Sequence, residues 1–381
     1  MDLKYKELIR LSKTDISKKE IKAVNKVLKK GYLGMGDEVK AFEIELSNYL
    51  GNDVACVVNG TAALQLALQA CGVGVGDEVL VPSLTYIASY QAIIATGAKP
   101  ISCDVNEEDL LISLLDAKNK ISSRTKAIMP VFFSGGVGKL EDLYLFAKKH
   151  NLRVIEDAAH AFGSRYKNKL IGSFGDITCF SFDGIKNISS GEGGCIVSND
   201  SNVINKIKDS RLLGVVKDTE NRYAGNRSWE FDVVDIGWRY HMSNIMASIG
   251  LTQIKRINAF SSKRQVLAKL YDSLFMNCNN INPLVRDYDS IVPHIYVVRI
   301  KGLKDKNKLR DYLLDLNIQT GSHYQPNHLL TLFNNGVKCP ITEQVSKELI
   351  SLPLHTSLTK KQIKFVASSL ISLLNNKIFY V

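Results

Sequence analysis

Between residues 55 and 215 the chain alternates two hydrophobic rhythms. Short β-branched runs such as "VACVVN", "DEVLVPS", "KPISCDV", "KAIMPVFF" and "LRVIEDA" are apolar almost throughout. Stretches such as "TAALQLALQA", "TYIASYQAIIATG" and "LEDLYLFAKKHN" lie between them, with apolar positions at helical spacing. Runs that do not alternate with polar residues predict strands buried on both faces, and strand–helix alternation predicts a mostly parallel sheet with helices above and below. "DITCFSF" and "GGCIVSND" stand close together, which predicts one hairpin-like antiparallel element within that sheet. After "SNIMASIGLTQIKRI" the pattern becomes mixed. The fold class read from this pattern is α/β. Residues 1–254 form a large domain that includes an N-terminal segment, and residues 255–381 a smaller C-terminal α+β domain.

The bulk numbers narrow the picture without adding chemistry. Of 381 residues, 45% are apolar and 23% charged, ordinary values for a globular protein large enough for two cores. No apolar run is long enough for a membrane span, and "MDLKYKELIRLSK" lacks the apolar centre of a signal peptide, so a cytoplasmic protein without membrane attachment is expected. Seven scattered cysteines contain no CxxC pair, so neither a metal site nor a disulfide framework is expected. The net charge is +11, but the lysines are spread along helical segments such as "KKEIKAVNKVLKK" and "TKKQIK". That distribution reads as a solvated face and not as a nucleic-acid surface, although the excess can help gather a phosphate-bearing ligand.

Ligands on open α/β sheets bind beyond the carboxyl ends of the strands, so the residues just after each run carry the interest. In "NGTAAL" a strand ends and a helix begins, and the free amides of Gly60 and Thr61 at a helix N-terminus suit an anion. Alone, this is an ordinary helix cap. "GVGVGDEV" fails the dinucleotide spacing and precedes a strand, and "GGVGKLED" lacks the residues of a nucleotide phosphate loop. In "VIEDAAHAFG" Asp157 follows a buried run, where a carboxylate needs a cationic partner, and His160 lies three positions on. In "CFSFDGIKNISSGEGG" Lys186 follows a strand and precedes a glycine-rich loop that lets a ligand approach closely. A partly desolvated lysine has a lowered pKa and becomes a nucleophile able to form an imine. An anion cradle, a buried acid and a lysine, all at strand ends, are the parts that pyridoxal phosphate requires.

The blocks "GYLGMGDEVKAFEIELSNYLG", "NGTAALQLAL", "GDEVLVPSLTYIAS", "VIEDAAHAFGS", "GSFGDITCFSFDGIKN", "MSNIMASIGLTQI", "HYQPNH" and "SLPLH" span nearly the whole chain. In that order and spacing they resemble the DegT/StrS-type nucleotide-sugar aminotransferases. The resemblance implies a three-layer αβα large domain of the pyridoxal-phosphate-dependent fold type I. It implies Lys186 as the imine-forming catalytic lysine and Asp157 as the catalytic partner of the cofactor's ring nitrogen. His160 would contact the ring hydroxyl, Tyr86 would stack on the ring, and Gly60, Thr61 and Ser181 would cradle the phosphate. From "HYQPNH" it implies His323, Tyr324 and His328 as substrate contacts. Relatives commonly read G-x-N-x-R-M where this chain reads "GWRYHMS", so Arg239 stands where an asparagine reaches the phosphate from a partner subunit, and His241 where an arginine is usual.

The implied reaction moves an amino group from L-glutamate to a keto carbon of a nucleotide-linked sugar, in a homodimer with shared active sites. Glu192 in "GEGG" favours a 4-keto-6-deoxyhexose, with dTDP as the expected nucleotide and surface-polysaccharide (O-antigen) sugars as the destination. A 3-keto substrate or a GDP-linked, perosamine-type reaction is the alternative. A dehydratase of this fold, with histidine in place of the lysine, and a non-enzymatic homologue are disfavoured by the presence of both Lys186 and Asp157.

Overall fold

The computed structural model describes residues 4–375. The strands run in chain order β1 (Asp53–Val57), β2 (Glu78–Pro82), β3 (Lys99–Cys103), β4 (Thr125–Ile128), β5 (Arg153–Asp157), β6 (Arg165–Tyr166), β7 (Lys169–Leu170), β8 (Ile177–Ser181), β9 (Gly194–Ser198), β10 (Asn282–Pro283), β11 (Tyr296–Arg299) and β12 (Leu349–Leu352). Seven of them form one sheet in the order β1-β9-β8-β5-β4-β2-β3. β3, β2, β4, β5 and β8 are parallel neighbours, while β9 runs antiparallel to both β8 and β1. The expected antiparallel element is therefore the β8–β9 pair. β4 is shorter than "KAIMPVFF" suggests: Pro130 has no N–H to give, and pairing resumes only as a bridge from Val131 to Asp157.

Helices cover both faces. On one lie α1 (Lys18–Lys30), α2 (Asp37–Leu50) and, later in the chain, α9 (Asn244–Ile254); on the other, α3 (Gly60–Ala70), α4 (Ile87–Ala95) and α7 (Ser201–Ser210). Helices α5 (Leu114–Lys120), α6 (Leu140–Lys149) and α8 (Asp218–Tyr223) complete this part. Phe42, Leu46, Phe162, Phe180 and Phe182 fill one side of the sheet, and Leu64, Leu68, Val81, Tyr90 and Ile155 the other. This is a three-layer αβα arrangement, and it explains why the strands carry no polar alternation. The remaining helices, α10 (Ile257–Phe275), α11 (Lys306–Asp315), α12 (Pro340–Glu348) and α13 (Lys360–Asn375), accompany the antiparallel sheet β10-β11-β12. That sheet has its own cluster around Leu267, Tyr271, Tyr296, Ile350 and Val366, which Ile9 from the other end of the chain joins.

Arg211, fully buried, ties the layers together. Its guanidinium donates to Glu43 of α2, to the Cys56 carbonyl of β1 and to Tyr223 of α8, and its carbonyl takes the Tyr240 N–H at 3.0 Å. The last bond anchors the "GWRYHMS" segment beside β1.

Glu156 points away from the site residues, into the layer below, where the Tyr144 and Thr178 hydroxyls donate to it at 2.7 and 2.6 Å. Burial is the dominant cause that pushes its carboxyl up to about 7, with nearby Asp176 adding to the effect and the two hydroxyls opposing it. A carboxyl whose folded pKa exceeds its unfolded one favours folding below the unfolded value, and that contribution is lost as pH rises through the folded value. Glu156→Gln is therefore expected to match the parent near pH 4.5 and to be more stable at pH 9, by on the order of 2–3 kcal/mol. Thermal melts of both proteins at the two pH values check this; an equal difference at both would remove the ionisation account.

Candidate active site

At the end of β1, Asn59 is the N-cap of α3, and its side chain accepts from the Ala62 N–H at 2.8 Å. The amides of Gly60 and Thr61 have no acceptor among the described residues. A Cβ on Gly60 would meet Ser181 Cβ at 2.9 Å, and one on Gly194 would meet the Asn59 carbonyl at 2.7 Å. Those two glycines let the ends of β1, β8 and β9 converge, so that Gly60, Thr61 and Ser181 form one small concave wall of donors.

Asp157 ends β5 and is 7% exposed. Ser89 Oγ donates to its Oδ2 at 2.8 Å and the Ala159 N–H to its Oδ1 at 3.2 Å. Burial raises its pKa, while Ser89, Ala159 and Lys186 pull it down. No ion pair involves it among the described residues, so a buried acid is held in place without a cationic partner. The loop after β8 carries Lys186 and is pinned at both flanks. Asn187 Nδ2 donates to the Phe162 and Val292 carbonyls at 2.9 and 3.3 Å, and the Thr14 hydroxyl donates to the Gly184 carbonyl. Burial lowers the Lys186 pKa to about 8, against the opposing pull of Asp157 and Asp183. A good fraction of the amine is thus neutral and nucleophilic near pH 8.

His160 is buried beside them, with Nε2 at 3.1 Å from Tyr324 Oη and Nδ1 taking the Ser134 N–H at 3.4 Å. Tyr86 is 59% exposed, its ring 5.7 Å from that of Tyr324. His323 bonds through Nδ1 to Ser351 Oγ at 2.6 Å, and burial, followed by Lys186 and Arg310, lowers its pKa to about 4. The fold thus gathers Asp157, His160, Lys186, Tyr86, Tyr324 and His323 at one end of the sheet. It keeps His328 apart from them: that ring is 1% exposed, with Ser83 Oγ at 2.6 Å on Nδ1 and Glu343 at 3.1 Å on Nε2. Arg239 is exposed, and its side chain has no hydrogen-bond or ion-pair partner among the described residues.

Four contributors carry no signal in the sequence. Ser89 fixes Asp157, Asn187 fixes the lysine loop, and Asn327 Nδ2 holds the Ser83 and Thr85 carbonyls at 3.1 and 2.7 Å. His294 Nε2 stands 3.5 Å from Lys186 Nζ. A cavity of about 920 Å³, lined among others by Asp109, Asp142, Arg299 and Lys301, contains none of these groups.

Comparison with known proteins decides the family. Residues 14–371 match the DegT/DnrJ/EryC1/StrS aminotransferase family. The chain belongs to that family. It is 36% identical to the spore coat polysaccharide biosynthesis protein SpsC of Bacillus subtilis, over 91% of this chain and 92% of that one. It is also 36% identical to the GDP-perosamine synthase of Escherichia coli O157:H7, over 92% of this chain and 94% of that one. Among solved structures, the putative sugar aminotransferase Spr1654 of Streptococcus pneumoniae superposes with a TM-score of 0.90 at 30% identity, covering 97% of this chain and 99% of that one. That relative has been solved in PLP and PMP forms. The family's aminotransferases depend on pyridoxal phosphate, and family and fold together make this protein a sugar aminotransferase. The residues present fit the cofactor: a donor wall that a single Cβ would close, a buried acid lacking a cation, and a nucleophilic amine. Among the described residues no helix is long and apolar enough to cross a membrane.

Proposed function

We propose that this chain moves the amino group of glutamate to C4 of a nucleotide-linked 4-keto-6-deoxyhexose, with dTDP as the nucleotide. The observation that carries the reading is the Lys186 amine, its pKa lowered to about 8, set at the same sheet end as buried Asp157 and the Gly60–Thr61–Ser181 wall. When bound, pyridoxal phosphate withdraws electrons from the carbon attached to the transferred nitrogen, so that a proton can leave that carbon. Gly60, Thr61 and Ser181 would hold its phosphate. Asp157 would keep a proton on its ring nitrogen, His160 would meet the ring hydroxyl, and Tyr86 would cover the ring face. Lys186 would hold the cofactor covalently, and its Nζ, once released, would move the proton as general base and then general acid. Tyr324 and His323 line the approach for the sugar. His328, with both nitrogens engaged, would support the Ser83 loop from behind. We also propose a domain division near residue 255.

Glu192 in "GEGG" supports attack at C4, and the spore-coat relative supports a polysaccharide sugar as the product. The GDP-perosamine synthase relative supports a second reading with GDP in place of dTDP. A panel of dTDP-, GDP- and UDP-linked 3-keto and 4-keto sugars, with glutamate as donor and product regiochemistry by NMR, separates them. Amination at C4 is expected; turnover of 3-keto sugars alone would sink the C4 reading.

The segment leading to Arg239 exposes Trp229 (86%), Phe231, Val234 and Ile236, an apolar run that a second copy of the chain would cover. In that homodimer Arg239 would reach the partner's phosphate as a charged donor. Arg239→Ala is expected to weaken cofactor retention ~10- to 100-fold. Mixing it with Lys186→Ala should restore part of the activity, since some hybrid dimers regain one intact site. Subunit exchange without recovered activity would rule out shared sites.

A further inference from the structure

His294 lies just before β11, in the C-terminal part of the chain, and is 3% exposed. Its segment also meets the lysine loop at Val292, whose carbonyl accepts from Asn187 Nδ2 at 3.3 Å. Its Nε2 is 3.5 Å from Lys186 Nζ, and no other hydrogen-bond partner of that amine occurs among the described residues. Its ring stacks at a tilt 4.5 Å from His160, and its carbonyl accepts from Arg264 Nη1 at 3.0 Å. Its Nδ1 is buried and has no partner. Proteins rarely leave a buried polar atom unmet, and an apolar ring of similar shape would avoid the cost. The histidine therefore calls for a reason, and among the described residues the one side-chain hydrogen-bond partner of its ring is the lysine amine, on Nε2.

The charged and titratable groups that bear most on this imidazole are Lys186, His160, Arg264 and His323, all cations or potential cations. Burial, and then these neighbours, keep the ring neutral. A neutral imidazole has one N–H and one lone pair. With the N–H on Nδ1, Nε2 offers its lone pair to an N–H of Lys186 whether that amine is neutral or protonated. The opposite tautomer would set N–H against N–H whenever the lysine is charged.

We propose that His294 is a positioning residue for Lys186, accepting a hydrogen bond from the free amine through Nε2 and so parking Nζ within the site. This inference rests on the aminotransferase reading, in which the lysine must leave the cofactor and still return a proton to one defined carbon. The hydrogen bond fixes one N–H of the amine and leaves its lone pair free to face the cofactor. Lys186 is otherwise faced by Asp157 and Asp183, which favour the charged form without fixing its direction.

The test uses the full-length protein stripped of cofactor, a form in which the Streptococcus relative has been solved. Trinitrobenzenesulfonate labels free amines, and peptide mass spectrometry follows Lys186 alone as pH is varied. Half-maximal labelling is expected near pH 8 in the parent, the pKa to which burial lowers this amine. In His294→Phe the charged form loses more than the neutral form, so the midpoint should fall by about half a unit to one unit. His294→Gln, which can still accept, should return it toward the parent. In the loaded enzyme, kcat of His294→Phe should drop about tenfold, with KM for the sugar nearly unchanged. An unchanged labelling midpoint and unchanged kcat in His294→Phe overturn the proposal, and His294→Leu replaces it if the phenylalanine protein does not fold. Borohydride mapping of the parent is the separate control. Cofactor found on Lys186 with no effect of His294 refutes the positioning role alone, whereas cofactor found elsewhere refutes the underlying reading.

Discussion

Lys186→Ala should fold, take up pyridoxal phosphate without a covalent bond, and turn over at least ~10³-fold more slowly than the parent. The loss is large because one amine performs two tasks. In the proposed function it would anchor the cofactor and, once released, would carry the proton that has to move. The fold should survive because, among the described residues, the Nζ has a single hydrogen-bond partner, His294, and the loop is held by Asn187 and Thr14 instead. Burial lowers the lysine pKa from 10.5 to about 8, so the folded protein disfavours its charged form. The sign follows from linkage: that penalty is full below pH 8 and vanishes above 10.5. The alanine protein should therefore melt at the same temperature as the cofactor-free parent or higher at pH 7, and the gap should close toward pH 10.5. Borohydride reduction followed by peptide mapping should place the adduct on Lys186 in the parent and nowhere in the variant. Retention of a tenth of the parent's turnover would mean that another group supplies the amine.

Asp157→Asn is expected to cost about 10²- to 10³-fold in kcat while sugar KM changes little. The substitution is nearly isosteric, and an amide oxygen can still accept from Ser89 Oγ, so packing should hold. What would disappear, on the proposed function, is the charge that would keep a proton on the cofactor's ring nitrogen and so strengthen the ring's pull on electrons. The cost arises at the proton-transfer step, which is why KM should stand apart from kcat. Deuterium at the donor Cα should give a larger isotope effect in the variant. A kcat within threefold of the parent would leave Asp157 as nothing more than a cap for the Ala158–Ala159 turn.

The features legible in the sequence are those set by local spacing. β2, β8 and β9 are buried at every position, and their short, mostly apolar, β-branched runs between turn residues read as central strands. Gly60–Thr61 could be read as an anion site because the strand end and helix start adjoin in the chain. Residues brought in by topology could not be read. Ser89 sits on α4 and reaches Asp157 only because β5 lies near that helix, and His294 meets Lys186 across two parts of the chain whose order says nothing of their distance. His328 illustrates the converse. Its neighbours in "HYQPNH" look like site residues, yet whether a side chain faces a ligand or the interior depends on partners such as Ser83 and Glu343 far away in sequence. "KAIMPVFF" was legible as a strand but not its end, because Pro130 stops the ladder while the chain runs on alongside β5.

The position of β9 sets a timetable for biosynthesis. Asp53 of β1 pairs with Ser198 and Val57 with Gly194, so the first strand made has, among the described strands, its neighbour in the last strand of that sheet. At translation rates of ~5–20 residues per second, β1 waits roughly seven to thirty seconds for that partner to emerge. Until then one side of the proposed phosphate cradle, at Gly60 and Thr61, lacks its place beside the other, at Ser181. Cofactor cannot stabilise the nascent chain during that interval, because ligand binding favours only the state that contains the whole site. Long-range pairing of this kind also slows refolding, and it leaves a bare, apolar strand edge open to neighbouring chains. Added pyridoxal phosphate should therefore help the finished fold persist, while the yield of folding itself depends on how well β1 is shielded before β9 arrives.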